Sequence, residues 1–340
     1  VVTIYDIAKK ANVSAMTVSR VINNKGRISE KTRNKVKRIM EELNYVPNEM
    51  ARSLVLRETQ VLFLLVTDIT NPFFTTLARG AEDAANKLGY RLLFGNSDES
   101  LEKEREYVDT ILKSRVDGVL LAPAGDGSLP HLESLRAHGV PFVLLDREVP
   151  GIGSDVVLGD SREGTRMLME HMIALGHKEI ALVNGSPEVS SARLRATAYK
   201  EALKLNDLAA PPERILELSY APRSSLARIG EWLDGLHPLP TAILCGNNMM
   251  AIQTIQAIRK KGLRVPEDIS VCCFDDLGPV GEIDPFLTVA AQQAYQFGYK
   301  GMQLLIGRIA DKENDGGDDA WTRVLLPAEL VVRRSVADLR

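Results

Sequence analysis

Short, unbroken apolar runs separated by amphipathic stretches of helical length constrain this chain more than any other feature. Residues 61–66 read VLFLLV, 118–121 GVLL and 142–145 FVLL, without the polar alternation of a half-exposed strand. Such runs fit strands buried on both faces, the signature of parallel sheets covered by helices. A further strand is expected at 90–94. Helices are expected at 73–88, stopped by Gly89, at 101–114 and at 129–138. A second series begins near Val156, with strands at 180–183, 242–244 and 269–274 and helices at 162–175, 191–205 and 248–262. Two such βα series imply two α/β lobes with a cleft between them.

Ahead of this body lies a different kind of segment. Residues 1–57 hold 12 Lys/Arg against 5 Asp/Glu, whereas the other 283 hold 30 against 40. A basic head on an acidic body points to a polyanion that meets the head alone. The head reads as three short helices. The first, Asp6 to Asn12, turns Ile7, Ala8 and Ala11 inward. The second is capped by Ser14, runs to about Asn23 and buries Val18, Val21 and Ile22. The third starts between Ser29 and Thr32 and carries Val36, Ile39, Met40 and Leu43. Two short helices joined by a tight turn are the layout that places a second helix in the DNA major groove. Pro47 ends the regular pattern.

Other chemistries find no support. Cys245, Cys272 and Cys273 match neither a disulfide framework nor zinc spacing and read as buried thiols of a reducing compartment. No apolar run is long enough to cross a membrane, so a cytoplasmic protein is expected. No P-loop, HExxH or nucleophile-elbow pattern occurs, and Gly151-x-Gly153 lacks the third glycine of a dinucleotide fingerprint. The histidines (131, 138, 171, 177 and 237) are scattered and read as structural or solvated. The chain is therefore expected to be no enzyme and to need no cofactor or metal.

Taken together, the head, the Pro47-x-x-x-Ala51-Arg52-Ser53-Leu54 segment and the βα body resemble the LacI/GalR-type bacterial transcription repressors. The motifs Asn71-Pro72-Phe73-Phe74, Val116-Asp117-Gly118, Gly176-His177, Val265-Pro266-x-Asp268, Phe274-Asp275-Asp276 and Leu287-Thr288 recur in the family's order. The resemblance implies an all-α helix-turn-helix domain (1–46), a hinge (47–59) and an effector-binding domain (60–340) of the periplasmic binding protein-like type I fold. That domain's doubly wound parallel-sheet lobes are expected at about 60–159 with 292–321, and at about 160–291 with 322–340. The resemblance also implies a homodimer on a pseudo-palindromic operator, acting as a repressor.

Carried over residue by residue, the family pattern gives a DNA-binding set of Thr3, Ser14, Ala15, Met16, Thr17, Ser19, Arg20, Asn23, Ala51, Arg52 and Leu54. Arg20 can pair with guanine O6 and N7, while Thr17, Ser19 and Asn23 suit phosphates. Met16 is open between base contact and core packing. Leu54 is expected as a minor-groove wedge, the alternative being packing on its own lobe. The effector set is Asn71, Phe73, Phe74, Asp146, Arg147, Arg195, Tyr220, Asn247, Asp275 and Gln292. Asp, Asn, Gln and Arg supply the donors and acceptors that sugar hydroxyls need, and the aromatics can wall the apolar face of a sugar ring. One of Phe73 and Phe74 is expected in the core, and Asp275 with Arg147 can instead form a structural ion pair. The set favours a monosaccharide such as the pentose ribose. The alternatives are a purine or nucleoside, a phosphosugar or a phosphoprotein co-regulator. The body alone would also allow a transport receptor or a sugar-processing enzyme. Three positions depart from the family: Asn248 for a usual Asp, Cys273 for a usual Gly and Gln293 for a usual Pro.

Overall fold

The computed structural model describes residues 2–22, 26–45, 59–220, 225–278, 281, 283–313 and 320–340. The chain divides into a small unit, residues 1–59, and a large one, residues 60–340. Of the expected hinge, only Thr59 lies within the described residues.

The small unit contains α1 (Ile4–Ala11), α2 (Ala15–Ile22) and α3 (Glu30–Glu42). Helix α1 starts two residues earlier than its apolar spacing implied. Asp6 is the third helical residue of a capping box rather than its start, and it accepts from the Thr3 backbone N–H at 2.8 Å. Asn12, in the left-handed region at φ 54°, stops α1. The Ser14 hydroxyl then accepts from the Thr17 N–H at 3.2 Å and opens α2, and Ser29 does the same for α3 through Thr32 at 3.2 Å. Ile7, Ala11, Val18 and Val36 are fully buried where the helices meet.

The strands of the large unit, in chain order, are β1 (Val61–Val66), β2 (Arg91–Asn96), β3 (Gly118–Leu121), β4 (Phe142–Leu145), β5 (Asp155–Gly159), β6 (Ile180–Asn184), β7 (Ile215–Glu217), β8 (Ala242–Cys245), β9 (Ser270–Phe274), β10 (Thr288–Ala291), β11 (Arg323–Leu326) and β12 (Glu329–Val331). They form two sheets, ordered β11-β5-β4-β3-β1-β2 and β12-β10-β9-β8-β6-β7. All pairings are parallel except β10 with β12, an antiparallel edge. Helices α4 (Pro72–Lys87), α5 (Leu101–Ser114), α6 (Leu129–Ala137), α7 (Ser161–Ala174), α8 (Ser190–Leu205), α9 (Ser225–Gly235), α10 (Asn248–Lys260) and α11 (Ala294–Glu313) cover the faces. Among the described residues no helix is long and apolar enough to cross a membrane.

Strand β5, near which the second series was expected to begin, pairs with β4 in the first sheet, in keeping with a first lobe that reaches residue 159. One boundary differs from those read from sequence. The chain makes its third crossing at residues 327–328, not near 322, because β11 pairs with β5 in the first sheet while β12 joins the second. On the first lobe α4 and α11 cross closely at glycines. A Cβ on Gly80 would strike the Tyr295 carbonyl, and one on Gly298 the Leu77 carbonyl.

Candidate binding sites

The exposed edge of the small unit is the start of α2. Met16 is 65% exposed and so is not packed in the core of the small unit. Ser14 and Arg20 are exposed, and Ala15, Thr17 and Ser19 are half-buried. Part of this set is occupied locally. The Ser14 and Thr17 hydroxyls bond each other at 2.9 Å, and the Thr3 hydroxyl donates to Asp6 at 2.7 Å. Arg20 is thus the long cationic donor that α2 offers outward. Asn23, Ala51, Arg52 and Leu54 lie outside the described residues.

In the large unit, nine of the ten residues expected from sequence line one cleft between the two lobes. It sits at the carboxyl ends of the parallel strands, where α/β sheets bind ligands. The loop after β1 brings Asn71, whose Oδ1 caps α4 through the Phe73 N–H at 3.0 Å. The loop after β8 repeats the device: Asn247 caps α10 through the Met250 N–H at 2.8 Å. Asp146 follows β4 and Asp275 follows β9, each in the left-handed region at φ 66° and 64°. Non-glycine residues rarely adopt that conformation, and it concentrates at functional sites. Phe73 and Phe74 are both core residues and both reach the cleft. They meet edge to face at 5.1 Å, and Phe73 packs likewise on Phe297 at 5.2 Å.

The charged members are tightly held. The Arg147 guanidinium donates to both carboxylate oxygens of Glu99, at 2.6 and 2.7 Å, and to the Pro123 carbonyl at 3.0 Å. Burial opposes its charge, but Glu99 and then Asp146 overcome this and raise its pKa. Its carboxylate partners are therefore Glu99 and, at 3.4 Å, Asp146, not Asp275. Arg195 donates to the Gly246 carbonyl and lies over the Phe274 ring at 4.0 Å. Burial pushes the Asp275 carboxyl up to about 6, against the opposing pull of Arg195 and of the Gln292 amide, which donates at 2.9 Å. Gln292 itself does not line the cleft; its amide N–H is taken up by Asp275, one layer behind. Tyr220 is buried, which raises its phenol pKa, and the Arg147 guanidinium sits 5.5 Å from its ring centre.

Three lining residues were absent from the sequence-derived set: Asp68, Glu99 and Ser191. Asp68 and Glu99 follow β1 and β2, so strand ends facing the cleft were the signal that could have found them. The departing residues also have roles. The Asn248 amide donates to Asn71 Oδ1 at 3.1 Å, across the lobes, and to the Asp276 carbonyl at 2.9 Å. Gln293 donates to the Pro327 carbonyl at 3.3 Å. Cys273 lies buried beneath the cleft with its thiol toward the Asp275 carbonyl at 3.6 Å. The three thiols are free and buried, and burial pushes Cys245 up to about 12. The lobes also meet through Arg193 and Asp126 at 2.6 Å and through the Glu148 N–H and Ser190 Oγ at 2.9 Å.

Residues 3–48 match the family "Bacterial regulatory proteins, lacI family", and residues 169–336 match "Periplasmic binding protein-like domain". The chain is 37% identical to the ribose operon repressor of Bacillus subtilis, over 98% of each chain. It is 33% identical to the transcriptional repressor PurR of Aliivibrio salmonicida, over 99% of each. A solved lac repressor dimer bound to operator and the anti-inducer ONPF superposes with a TM-score of 0.81, at 30% identity over 99% of each chain.

Proposed function

This chain belongs to the LacI family of bacterial regulatory proteins, ligand-responsive DNA-binding regulators, and from that premise we propose that it is a repressor controlled by a pentose. In this reading two copies bind a pseudo-palindromic operator through α2, with Arg20 reading a base edge and Met16 and Ala15 making apolar contacts. Asn23, Ala51, Arg52 and Leu54 complete the DNA set. The effector occupies the interlobe cleft.

The observation that carries the effector assignment is the chemistry of that cleft. Asp146, Asp275 and Asn247 offer hydroxyl acceptors, Arg147, Arg195 and Asn71 offer donors, and Phe73, Phe74 and Tyr220 offer apolar walls. Both lobes contribute to each class, so a bound sugar ties one lobe to the other. A ligand with different affinity for the open and closed arrangements shifts their populations, and operator affinity with them. Likeness to a ribose operon repressor supports the pentose; the residue set supports it over a flat purine.

A thermal-shift screen of pentoses, hexoses, purines and nucleosides tests the assignment, because a ligand of the native state raises its apparent stability. D-ribose should give the largest shift. A shift from purines alone would replace the pentose with a nucleobase.

A further inference from the structure

Glu99 pairs with another cleft charge, Arg147, in full bidentate contact, and the effector assignment above does not use it. Four carboxylates (Asp68, Glu99, Asp146 and Asp275) face two guanidiniums, Arg147 and Arg195. The side chains of Arg147 and Glu99 are only 4% and 5% exposed, so their pairing is not diluted by solvent. Each terminal nitrogen of Arg147 is bound to Glu99, and Nη1 also reaches the Pro123 and Ala124 carbonyls, at 3.0 and 3.3 Å. Arg195 spends Nη1 on the Gly246 carbonyl and its face on Phe274, while its buried Nε has no partner, so the charge balance around Arg147 decides the response to an anion. A phosphate binds through converging cationic forks or free backbone N–H groups. At two of the helix starts beside the cleft, the Phe73 and Met250 N–H groups are already taken by the Asn71 and Asn247 side chains.

We propose that Glu99 is a specificity-determining residue that neutralises Arg147 and makes the cleft reject phosphorylated and other anionic effectors, restricting it to uncharged polyols. This rests on the cleft being the effector site. It excludes the phosphosugar even where the sugar portion would fit, since discrimination needs a repulsive element as well as attractive contacts. Glu99 acts through Arg147 as a positioning residue: it fixes the guanidinium plane over Tyr220 and cancels its charge.

The experiment is calorimetric titration of the full chain with D-ribose, D-ribose 5-phosphate and inorganic phosphate, for the native sequence, Glu99→Gln and Glu99→Asp. The native protein should bind ribose and neither anion. Glu99→Gln, which keeps a hydrogen-bond acceptor but removes the charge, should gain phosphate or ribose 5-phosphate binding. Its preference for ribose over the phosphosugar should narrow on the order of tenfold or more, equivalent to about 1.4 kcal/mol. Glu99→Asp should restore the rejection, which a merely structural role would not do. Binding of either anion by the native protein overturns the proposal whether or not ribose binds. So does an unchanged anion response in a Glu99→Gln protein that melts cooperatively. Failure of ribose alone refutes the pentose reading and leaves the anion arms to decide this one.

Discussion

Replacing Asn248 by Asp would restore the residue usual in the resembled family, and substitutions of that kind commonly stabilise. The structure predicts the opposite. Asn248 is fully buried, and its amide nitrogen donates to Asn71 Oδ1 at 3.1 Å and to the Asp276 carbonyl at 2.9 Å. An ionised carboxylate has no donor and would face two acceptors. Each buried hydrogen bond lost in this way costs about 1–3 kcal/mol, giving about 2–6 kcal/mol together. The bond to Asp276 lies within one lobe and its loss should appear as lower global stability. The bond to Asn71 spans the lobes, so its share should fall on closure. A loss of about 1–2 kcal/mol there changes the closed population about 5–30-fold. Burial would raise the new carboxyl's pKa. The penalty is therefore greatest above that pKa and eases as pH falls, when the protonated acid can donate one bond. Urea unfolding and ribose titration at neutral and mildly acidic pH measure both parts. A variant as stable as the native chain, with unchanged ribose affinity, refutes the account of the interlobe bridge.

Three further outcomes are expected. Asp275 is held at about 6 in the fold, above its unfolded value near 3.8, so its contribution to stability is present below about pH 4 and is lost as pH rises through 6. Asp275→Asn should flatten that part of a melting-temperature profile, and an unaltered slope would contradict the burial argument. Arg20→Ala should relax operator discrimination by about 1–3 kcal/mol in competition binding while leaving nonspecific binding largely intact; an equal loss on all sequences would make Arg20 a phosphate contact instead. Gly298→Ala should lower stability by about 1–3 kcal/mol or more, since α4 and α11 would have to separate; a chemical melt identical to the native protein's would rule out the close crossing.

What was legible in the sequence followed the strength of its local signals. Apolar runs such as 61–66 and 142–145 have no alternative to a doubly covered strand, and β1 and β4 lie there. Strands β11 and β12 are four and three residues long and sit at sheet edges. Their lobe membership depends on pairing partners well outside any local window, more than 160 residues away for β11, which explains the displaced third crossing. The cleft residues carried by strand ends were legible because fold position and residue type coincide there. Glu99 was not, since a lone Glu after a strand reads as solvated until its distance from Arg147 is known. Gln292 was chosen for its chemistry, but whether an amide faces a ligand or a neighbouring carboxylate is decided by packing. Asn248 likewise looked like a simple departure until Asn71 was brought beside it.

In the proposed mechanism one chain couples a ligand cleft to a DNA-reading head. This coupling is tested most directly by measuring affinity for a duplex, selected by the protein from random sequence, at zero and at saturating D-ribose under fixed salt. The account predicts tight, salt-sensitive binding whose dissociation constant moves several-fold or more with ribose, with the reciprocal change in ribose affinity when DNA is present. Superimposable DNA-binding curves from a protein that demonstrably binds ribose would contradict it.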